Sequence, residues 1–440
     1  MKQAKYDVVV IGAGLGGLTA GALLVTAGFK VLVAEKVSFI GGRCGNVEYK
    51  GFHLPTGAIW LSDEVHGELC REVGAQFDLR IIDPPYYFRI GGKDYPAPIA
   101  GIFRTMFSRA SKDEGEIVRV MKAFKRGIAW QEPSMNISVY DWLMQYTDNQ
   151  TMAGIIRAFV AMDTGLNHFE LPAGEFFKFV KETSFVKKGG VLAYGGGSLT
   201  EALAKVIKDK GGDIWTRCAA KEIMVRDGAA VGVRLRKDDI EDIEVSATAI
   251  ACNAGPRTAV DIVGRQNFDP GYLKDIDNIK GAPQMIIYVE SDESLTGGKT
   301  MFMWPEARRV FCCLDYTGIC PEVTPPGKYL LEACSYLTHS GPPYDMKSEV
   351  ELSLMDLREN IEDFDKRARI LKVLCYHNQY GLMRVWAGEP FEFKTPIENL
   401  YLSCDSAAPH GWWGSSAAVK SGRLTAEEIT RRFKPSAAKV

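Results

Sequence analysis

Residues 8–17 read VVVIGAGLGG, an apolar run that ends in a glycine-rich turn. Gly12 allows a tight turn, Gly14 lets the backbone approach a pyrophosphate, and Gly17 lets a helix pack closely on the strand. The N-terminus of that helix offers free N–H groups and the positive end of its dipole to phosphates. A second apolar strand ends at Glu35, where a carboxylate can accept hydrogen bonds from both ribose hydroxyls. The pattern predicts a βαβ unit that binds a dinucleotide.

The same apolar stretch also invites comparison with a signal peptide or a membrane helix. However, glycines interrupt it, including Gly16 and Gly21, and the acidic Asp7 precedes it. It also lacks a basic leading segment and a cleavage site of small residues. We therefore expect a soluble, cytoplasmic chain.

The composition limits the classes of function to consider. A chain of 440 residues, 46% of them hydrophobic, is long enough for two domains with substantial cores. The net charge of −2 gives no reason to expect a nucleic-acid partner. Ten cysteines are scattered without CxxC spacing and six histidines are equally dispersed, which favours a reducing compartment and argues against a metal site.

A second glycine turn distinguishes between the two common dinucleotides. Residues 41–44 read GGRC, and residues 51–60 read GFHLPTGAIW. Nicotinamide-dependent dehydrogenases have no use for a second glycine turn with an arginine at this point. FAD is longer and needs a second clamp on its diphosphate and ribityl chain, so the sequence indicates FAD.

With these segments in place, the chain resembles the superfamily of FAD-dependent amine oxidases and phytoene desaturases. Its pattern is most similar to phytoene desaturase-like and carotenoid isomerase-like oxidoreductases. Residues 192–198, which read LAYGGGS, match the same group and open a helix, for which Ser198 and Glu201 have the spacing of a capping box. The predicted hairpin that follows resembles the family stretch ending at Asn253 to Pro256.

The C-terminal match is the most specific. Residues 395–405 read TPIENLYLSCD, and residues 411–423 read GWWGSSAAVKSGR. In the family, a strand ends in an acid that meets the ribityl and diphosphate region, and the last helix then points its N-terminus at the flavin pyrimidine. Free N–H groups at Ser415 and Ser416, together with the helix dipole, would stabilise the negative charge of reduced flavin.

The resemblance implies the fold and the cofactor residues. It implies an α/β protein: a discontinuous Rossmann-type FAD-binding domain, with a parallel sheet and a β-hairpin insertion, and a second, α+β substrate domain. The expected FAD domain comprises 1–82, 190–260 and 385–440, and the expected substrate domain comprises 83–189 and 261–384. The FAD-binding residues implied are Gly12, Gly14, Leu15, Gly16, Glu35, Lys36, Gly42, Arg43, Gly57, Ala58, Ile59, Ala220, Asp405, Gly414, Ser415 and Ser416.

Two positions depart from the family pattern. Cys404 stands where the family usually has glycine, and Leu54-Pro55 replaces a common Phe-Asp. The second departure is expected near the substrate, so it weakens the inference that phytoene itself is the substrate.

The preferred function is removal of a hydride from a carbon of a small apolar, prenyl-like or carotenoid-like substrate to flavin N5, which forms a double bond. The sequence leaves three alternatives open: a flavin amine oxidase, a carotenoid-type isomerase that uses reduced FAD, and a non-enzymatic prenyl-protein-binding protein similar to Rab GDP dissociation inhibitors. Because no second GxGxxG motif is present, NADPH binding in its own domain is not expected. The expected electron acceptor is oxygen, a quinone or an electron carrier.

The sequence supplies only candidates for catalytic side chains. His410 and Trp413 lie just before the turn that faces the flavin, and the unperturbed pKa of a histidine suits proton removal. A family-type lysine that holds water near N5 has three candidates: Lys280, Lys299 and Lys394.

One further stretch suggests a membrane surface. Residues 102–130 carry seven basic and three acidic residues, with apolar residues at near-helical spacing. A basic amphipathic helix can rest on a bilayer, so the stretch predicts a peripheral membrane contact. The same pattern also fits an ordinary surface helix that buries one face.

Overall fold

The computed structural model describes residues 2–131, 134–184, 186–279, 281–339, 341–377 and 391–436. The predicted domain boundary at 384/385 lies outside these residues.

The described residues contain strands from both ends and the middle of the chain. They are β1 Lys2–Lys5, β2 Val8–Ile11, β3 Val31–Ala34, β4 Asn46–Tyr49, β5 Phe52–Pro55, β6 Leu61–Ser62, β7 Leu79–Ile81, β8 Tyr86–Ile90, β9 Lys93–Ala97, β10 Gly189–Leu192, β11 Asp213–Trp215, β12 Cys218–Arg226, β13 Ala229–Lys237, β14 Glu241–Ser246, β15 Ala249–Cys252, β16 Gln284–Ser291, β17 Met301–Met303, β18 Val310–Asp315, β19 Tyr329–Tyr336, β20 Ala368–Tyr376 and β21 Leu400–Leu402.

Along the sequence, the helices are interspersed among these strands, and the last helix lies near the C-terminus. They are α1 Leu15–Thr26, α2 Glu68–Val73, α3 Ile102–Ala110, α4 Glu114–Ala129, α5 Val139–Leu143, α6 Gln150–Thr164, α7 Ala173–Glu182, α8 Gly197–Asp209, α9 Pro256–Val263, α10 Pro270–Asp277, α11 Met346–Asn360, α12 Phe364–Arg367 and α13 Gly414–Arg432.

A five-stranded parallel sheet carries the predicted βαβ unit. Its strand order is β11-β3-β2-β15-β21, and α1 connects β2 to β3. Four of these strands, β2, β3, β15 and β21, are buried at every position, as expected for a parallel sheet that is covered on both faces. The sheet joins segments that are far apart in sequence, which confirms the discontinuous Rossmann-type fold.

Four other sheets complete the α/β architecture of the described residues, and two of them are small, with the orders β6-β10-β7 and β4-β5. The predicted hairpin, residues 229–236 with 243–252, corresponds to β13 and β14, which pair antiparallel, whereas the end of its second arm is β15 of the parallel sheet. β13 and β14 belong to a four-stranded sheet of order β1-β14-β13-β12. A seven-stranded, mainly antiparallel sheet has the order β20-β16-β19-β18-β17-β8-β9. Helices α3 to α7 pack with this larger sheet around one apolar core.

Two of the expected domain boundaries fall inside secondary-structure elements. The boundary at 260/261 lies within α9, which is continuous from Pro256 to Val263, and the boundary at 189/190 lies within β10. Val263, Phe268 and Ile276 pack in the same apolar core as the parallel sheet, so this core extends through α10. The division into two domains stays a prediction.

The predicted capping box is also wrong. α8 begins at Gly197, with Gly196 as its N-cap and without a side-chain cap. Ser198 therefore lies inside the first turn, where its hydroxyl donates to the carbonyl of Ala193. Three consecutive glycines before Ser198 let the helix start earlier than the side-chain pattern indicates.

The apolar residues of the stretch 102–130 are accounted for by the fold. Met106, Phe107, Val120 and Phe124 are at most 2% exposed and belong to the core beside the seven-stranded sheet. The apolar face on which the membrane prediction rested is therefore buried inside the protein, and contact with a bilayer stays an untested prediction. Among the described residues, every helix is too short or too polar to cross a membrane.

Candidate functional site

A cavity of about 660 Å³ opens at the carboxyl ends of the parallel strands. This is where open α/β sheets generally bind their ligands. Every cofactor residue predicted from the sequence, from Gly12 to Ser416, is among the residues that line it. The fold thus brings the predicted residues from three separate parts of the chain to one site.

The first glycine turn and the second are joined by backbone contacts. The N–H of Gly41 donates to the carbonyl of Ala13 at 2.7 Å. The carboxylate of Glu35 accepts from the backbone N–H of Ala13 at 2.8 Å and of Val37 at 3.0 Å. Glu35 is thereby fixed at the end of its strand, and its oxygens keep further lone pairs for ribose hydroxyls.

Asn253 holds the first glycine turn against the end of β21, a role that the sequence reasoning did not assign. Its Oδ1 accepts from the N–H of Gly14 at 3.0 Å, and its Nδ2 donates to the carbonyl of Ser403 at 2.6 Å. A Cβ at Gly14 would lie 2.3 Å from Asn253 Oδ1. The available signal was a polar residue directly after a wholly apolar strand.

The second clamp is built around Arg43. Its guanidinium donates to Asp405 at 3.1 Å, and both residues line the cavity. Its carbonyl accepts from the N–H of Ala58 at 3.0 Å, while Thr56 Oγ1 donates to Gly42 O at 2.7 Å. These contacts hold residues 42–43 and 56–58 together as one wall of the cavity.

Two helix N-termini open into the cavity. The N-caps are Gly14 for α1 and Trp413 for α13, and in neither helix does a side chain cap the first turn. Uncapped first-turn N–H groups and the positive dipole ends favour anionic groups. An acid at the end of β3, two such termini and an arginine clamp fit the ribose, diphosphate and flavin of FAD.

We call a further set of ten lining residues the apolar half of the cavity. It is composed of side chains from the seven-stranded sheet, from helices and from nearby loops: Trp60, Met162, Asp163, Phe179, Gln284, Phe311, Cys334, Leu374, Tyr376 and Trp413. Apolar and aromatic groups dominate this set, as is usual for small-molecule sites.

Asp163 is the acid that lines the apolar half, and sequence reasoning missed it. It lies one residue from the C-terminus of α6, and burial raises the pKa of its carboxyl to about 7. Its sequence context resembles that of any acid near a helix end. Only the three-dimensional placement beside Met162 and Phe179 in the cavity wall identifies it.

Of the two catalytic candidates, the structure places Trp413 but not His410 in the cavity lining. Trp413 lines the cavity and is 5% exposed. His410 is not among the lining residues; its Nδ1 instead contacts the carboxylate of Glu175 on α7. Between the two, the chain turns at Gly411, which has a φ of 82°. The prediction of a catalytic role for His410 therefore loses its geometric basis.

The two lysine candidates within the described residues, Lys299 and Lys394, do not lie in the cavity lining either. Lys299 pairs with Asp94 at 3.3 Å, and Lys394 pairs with Glu428 at 3.1 Å. Lys280 lies outside the described residues. A group of residues suited to hold a metal ion is not found in the described part of the chain.

Comparisons with known proteins agree with this site. The family model for flavin containing amine oxidoreductase matches residues 15–430. An uncharacterized protein of Methanocaldococcus jannaschii is 26% identical, with 91% of this chain and 94% of that protein covered. The 15-cis-phytoene desaturase of Synechococcus elongatus is 23% identical, with 97% of this chain and 96% of that protein covered.

A solved structure supports the same assignment. An oxidoreductase from Methanosarcina mazei matches with a TM-score of 0.83 and 25% identity, and the match covers 96% of this chain and 100% of that chain. These findings favour an enzyme over the non-enzymatic alternative. The chain therefore belongs to the flavin-containing amine oxidoreductase family and is an FAD-dependent oxidoreductase.

Proposed function

We propose that this enzyme removes a hydride from a carbon of an apolar, prenyl-like or carotenoid-like substrate and forms a carbon–carbon double bond, with Asp163 as the proton acceptor. The observation that carries the proposal is the apolar half of the cavity. Its described lining is mostly apolar and aromatic, and Asp163 is its titratable carboxyl. Similarity to 15-cis-phytoene desaturases supports the substrate class.

The chemistry needs one hydride acceptor and one proton acceptor. Bound FAD supplies the hydride acceptor at its N5. At the neighbouring carbon, the C–H bond breaks, its electron pair forms the new double bond, and the proton is transferred to a carboxylate oxygen of Asp163. A pKa of about 7 is well matched to this task, because both forms of the carboxyl are populated at neutral pH.

The apolar half also serves to exclude water. Phe311 and Trp413 are at most 5% exposed, and Tyr376 is held by a hydrogen bond from its hydroxyl to the carbonyl of Thr56 at 2.5 Å. A dry site prevents competing reactions of a reactive carbon centre. The electron acceptor that completes the cycle is oxygen, a quinone or an electron carrier.

The departure at Leu54-Pro55 does not oppose this proposal. Leu54 is fully buried in the core, and the carbonyl of Pro55 accepts from the hydroxyl of Tyr288. Neither residue is among those that line the cavity. These contacts support a structural reason for the unusual pair, namely packing against the seven-stranded sheet.

An amine substrate is the second candidate, and a specific observation favours it. A carboxylate among aromatic rings such as Trp60 and Phe179 is also suited to an ammonium group, through an ion pair and cation–π contacts. In that case Asp163 binds the substrate rather than accepting a proton. A carotenoid-type isomerase uses the same cavity without net reduction of FAD.

Anaerobic reduction of the bound flavin by a panel of amines, carotenoids and prenyl lipids tests the proposal. We expect carotenoids or prenyl lipids to bleach the flavin. The rate should rise with pH around 7, because the acceptor is the ionised form of Asp163, which exists above its pKa. Asp163→Asn should slow flavin reduction by about 10²–10⁴-fold and abolish this pH dependence.

The matched control is Asp148→Asn, an exposed acid just before α6, which should reduce at the wild-type rate. Bleaching by amines alone, with an Asp163→Asn defect confined to KM, would replace the proposal with the amine oxidase. Geometric isomerisation of a carotenoid without bleaching would replace it with the isomerase. An unchanged rate in Asp163→Asn removes the acceptor role.

A further inference from the structure

A buried histidine contacts the N-terminus of α13 from behind the cavity wall. His66 lies in a short π-helical segment, Asp63–Gly67, and is 1% exposed. Its Nε2 lies 3.0 Å from the hydroxyl oxygen of Ser415. Ser415 lines the cavity and His66 does not, so His66 can act on a bound group only through Ser415.

The hydrogen-bond partners of the His66 ring determine which ring nitrogen carries the proton. Three groups of Ser62 lie near Nδ1: the backbone N–H at 3.1 Å, the carbonyl oxygen at 3.3 Å and the hydroxyl at 3.5 Å. The backbone N–H makes the shortest of these contacts and can only donate, so it assigns Nδ1 as an acceptor without a proton. Burial lowers the pKa of His66 to about 4, although the Ser62 backbone opposes this shift, so the ring is neutral at pH 7. The one ring proton of neutral His66 therefore lies on Nε2, and Nε2–H donates to Ser415 Oγ.

This assignment fixes the role of the Ser415 hydroxyl. A serine hydroxyl has one proton to donate and lone pairs to accept with. Because a lone pair of Oγ accepts the His66 proton, the proton of Ser415 is directed elsewhere, and the side chain borders the cavity. The hydroxyl thus joins the first-turn N–H groups of α13 as a donor toward a bound group.

The position of α13 indicates which part of FAD would meet this donor. The N-terminus of α1 and Glu35, which also line the cavity, would hold the diphosphate and the ribose. Trp413, the N-cap of α13, packs instead in the core that includes Phe176 and Phe311 beside the apolar half. Since hydride transfer requires the flavin ring next to the substrate, bound FAD would place its ring where these two regions meet, and Ser415 is the residue that would hold it there.

We propose that His66 is a positioning residue that fixes Ser415 as a hydrogen-bond donor to the flavin ring and thereby stabilises reduced FAD over oxidised FAD. Reduction adds negative charge to the pyrimidine part of the ring, and a fixed donor favours the charged form. The contribution acts together with the dipole of α13. It does not depend on which substrate the enzyme oxidises.

The test is the two-electron midpoint potential of bound FAD, measured by equilibration of the holoenzyme with reference dyes. We expect Ser415→Ala to lower the preference for reduced over oxidised FAD about tenfold, which corresponds to about 30 mV. His66→Phe should give a similar loss. The double variant should show no further loss, because the two residues act through one hydrogen bond.

Two conservative variants separate positioning from packing. His66→Gln places an amide N–H near the position of Nε2 and should keep the wild-type potential. His66→Asn reaches Ser62 but not Ser415, and should match Ser415→Ala. The matched control is Ser421→Ala on the same helix, where the hydroxyl donates to the carbonyl of Leu402 at 3.4 Å; it should leave the potential unchanged.

Three results would overturn the inference. They are a wild-type potential in His66→Phe, additive losses in the double variant, and equal potentials in His66→Gln and His66→Asn. If His66→Phe fails to fold, the comparison of His66→Gln with His66→Asn still tests whether His66 positions Ser415. Because no substrate is used, failure of the proposed double-bond chemistry would leave this test unaffected.

Discussion

The cavity has an apolar half and an FAD half, the latter lined by the predicted cofactor residues from Gly12 to Ser416, and the two halves are built by different means. The FAD half is made from short contiguous segments whose backbone groups contact each other, as in the hydrogen bond between Gly41 N–H and Ala13 O. The apolar half is made from single side chains of separate strands and helices, such as Phe311 on β18 and Leu374 on β20. A site that binds its ligand through backbone groups needs particular residue types in a fixed order along the chain. A site that binds its ligand through apolar side chains needs only side chains that together form a cavity of the right shape.

This difference predicts that the FAD half tolerates almost no added volume. A Cβ at Gly16 would lie 2.3 Å from the carbonyl oxygen of Ser403, and a backbone atom cannot move aside cheaply. Gly16→Ala should therefore push α1 away from β21 and weaken FAD binding at least ~1000-fold, about 4 kcal/mol. Titration of the apoprotein with FAD measures the effect.

The control for this substitution is Gly318→Ala, a turn glycine where an added Cβ meets nothing within 4 Å. It should bind FAD as the wild type does. If Gly16→Ala retained FAD with wild-type affinity, the FAD half would be as adaptable as the apolar half, and the contrast between them would fail.

The same contrast explains how much of the site could be predicted. The glycines, Glu35, Arg43 and Asp405 were predictable because their chemistry requires a fixed order and spacing along the chain. Asp163 was not predictable, because its meaning depends on apolar neighbours contributed by other elements. His410 shows the converse, since proximity in sequence to Trp413 did not bring its side chain into the cavity lining.

The fold was likewise predictable only where short contiguous segments determine it. The parallel sheet was predictable from apolar runs bounded by glycine turns, whereas the seven-stranded sheet pairs strands as distant as β8 and β17. Cross-strand partners that far apart in sequence leave no local pattern. The extension of this core beyond residue 260 left no sequence signal for a related reason, because the packing of Ile276 against the core of the parallel sheet is a tertiary contact.

A second prediction concerns an acid buried behind the wall of the apolar half. Glu332 on β19 is fully buried, and burial raises the pKa of its carboxyl to about 8. Between its ordinary pKa near 4.5 and pH 8, the folded state binds more protons than the unfolded state, so stability falls as pH rises. Glu332→Gln should remove this loss, so its stability relative to the wild type should rise by about 4 kcal/mol between pH 5 and pH 8.5.

Urea unfolding of the holoenzyme at pH 5 and pH 8.5 measures this effect. The gain of Glu332→Gln should be small at pH 5 and large at pH 8.5, while FAD affinity stays unchanged. Glu362→Gln replaces an exposed acid and serves as the control, with no such pH-dependent gain. A gain of equal size at both pH values would mean that ionisation of Glu332 is not the cause.

The smallest effect is expected at Trp413, which belongs to both halves. Its backbone begins α13 beside the FAD half, while its side chain lies in the core of the apolar half. Trp413→Phe keeps the backbone and an aromatic ring, so FAD affinity should change less than about twofold, under 0.5 kcal/mol. The substrate KM should change more than FAD affinity does, because only the side-chain surface is altered. A loss of FAD affinity larger than the change in KM would show that the two halves are not separable at this residue.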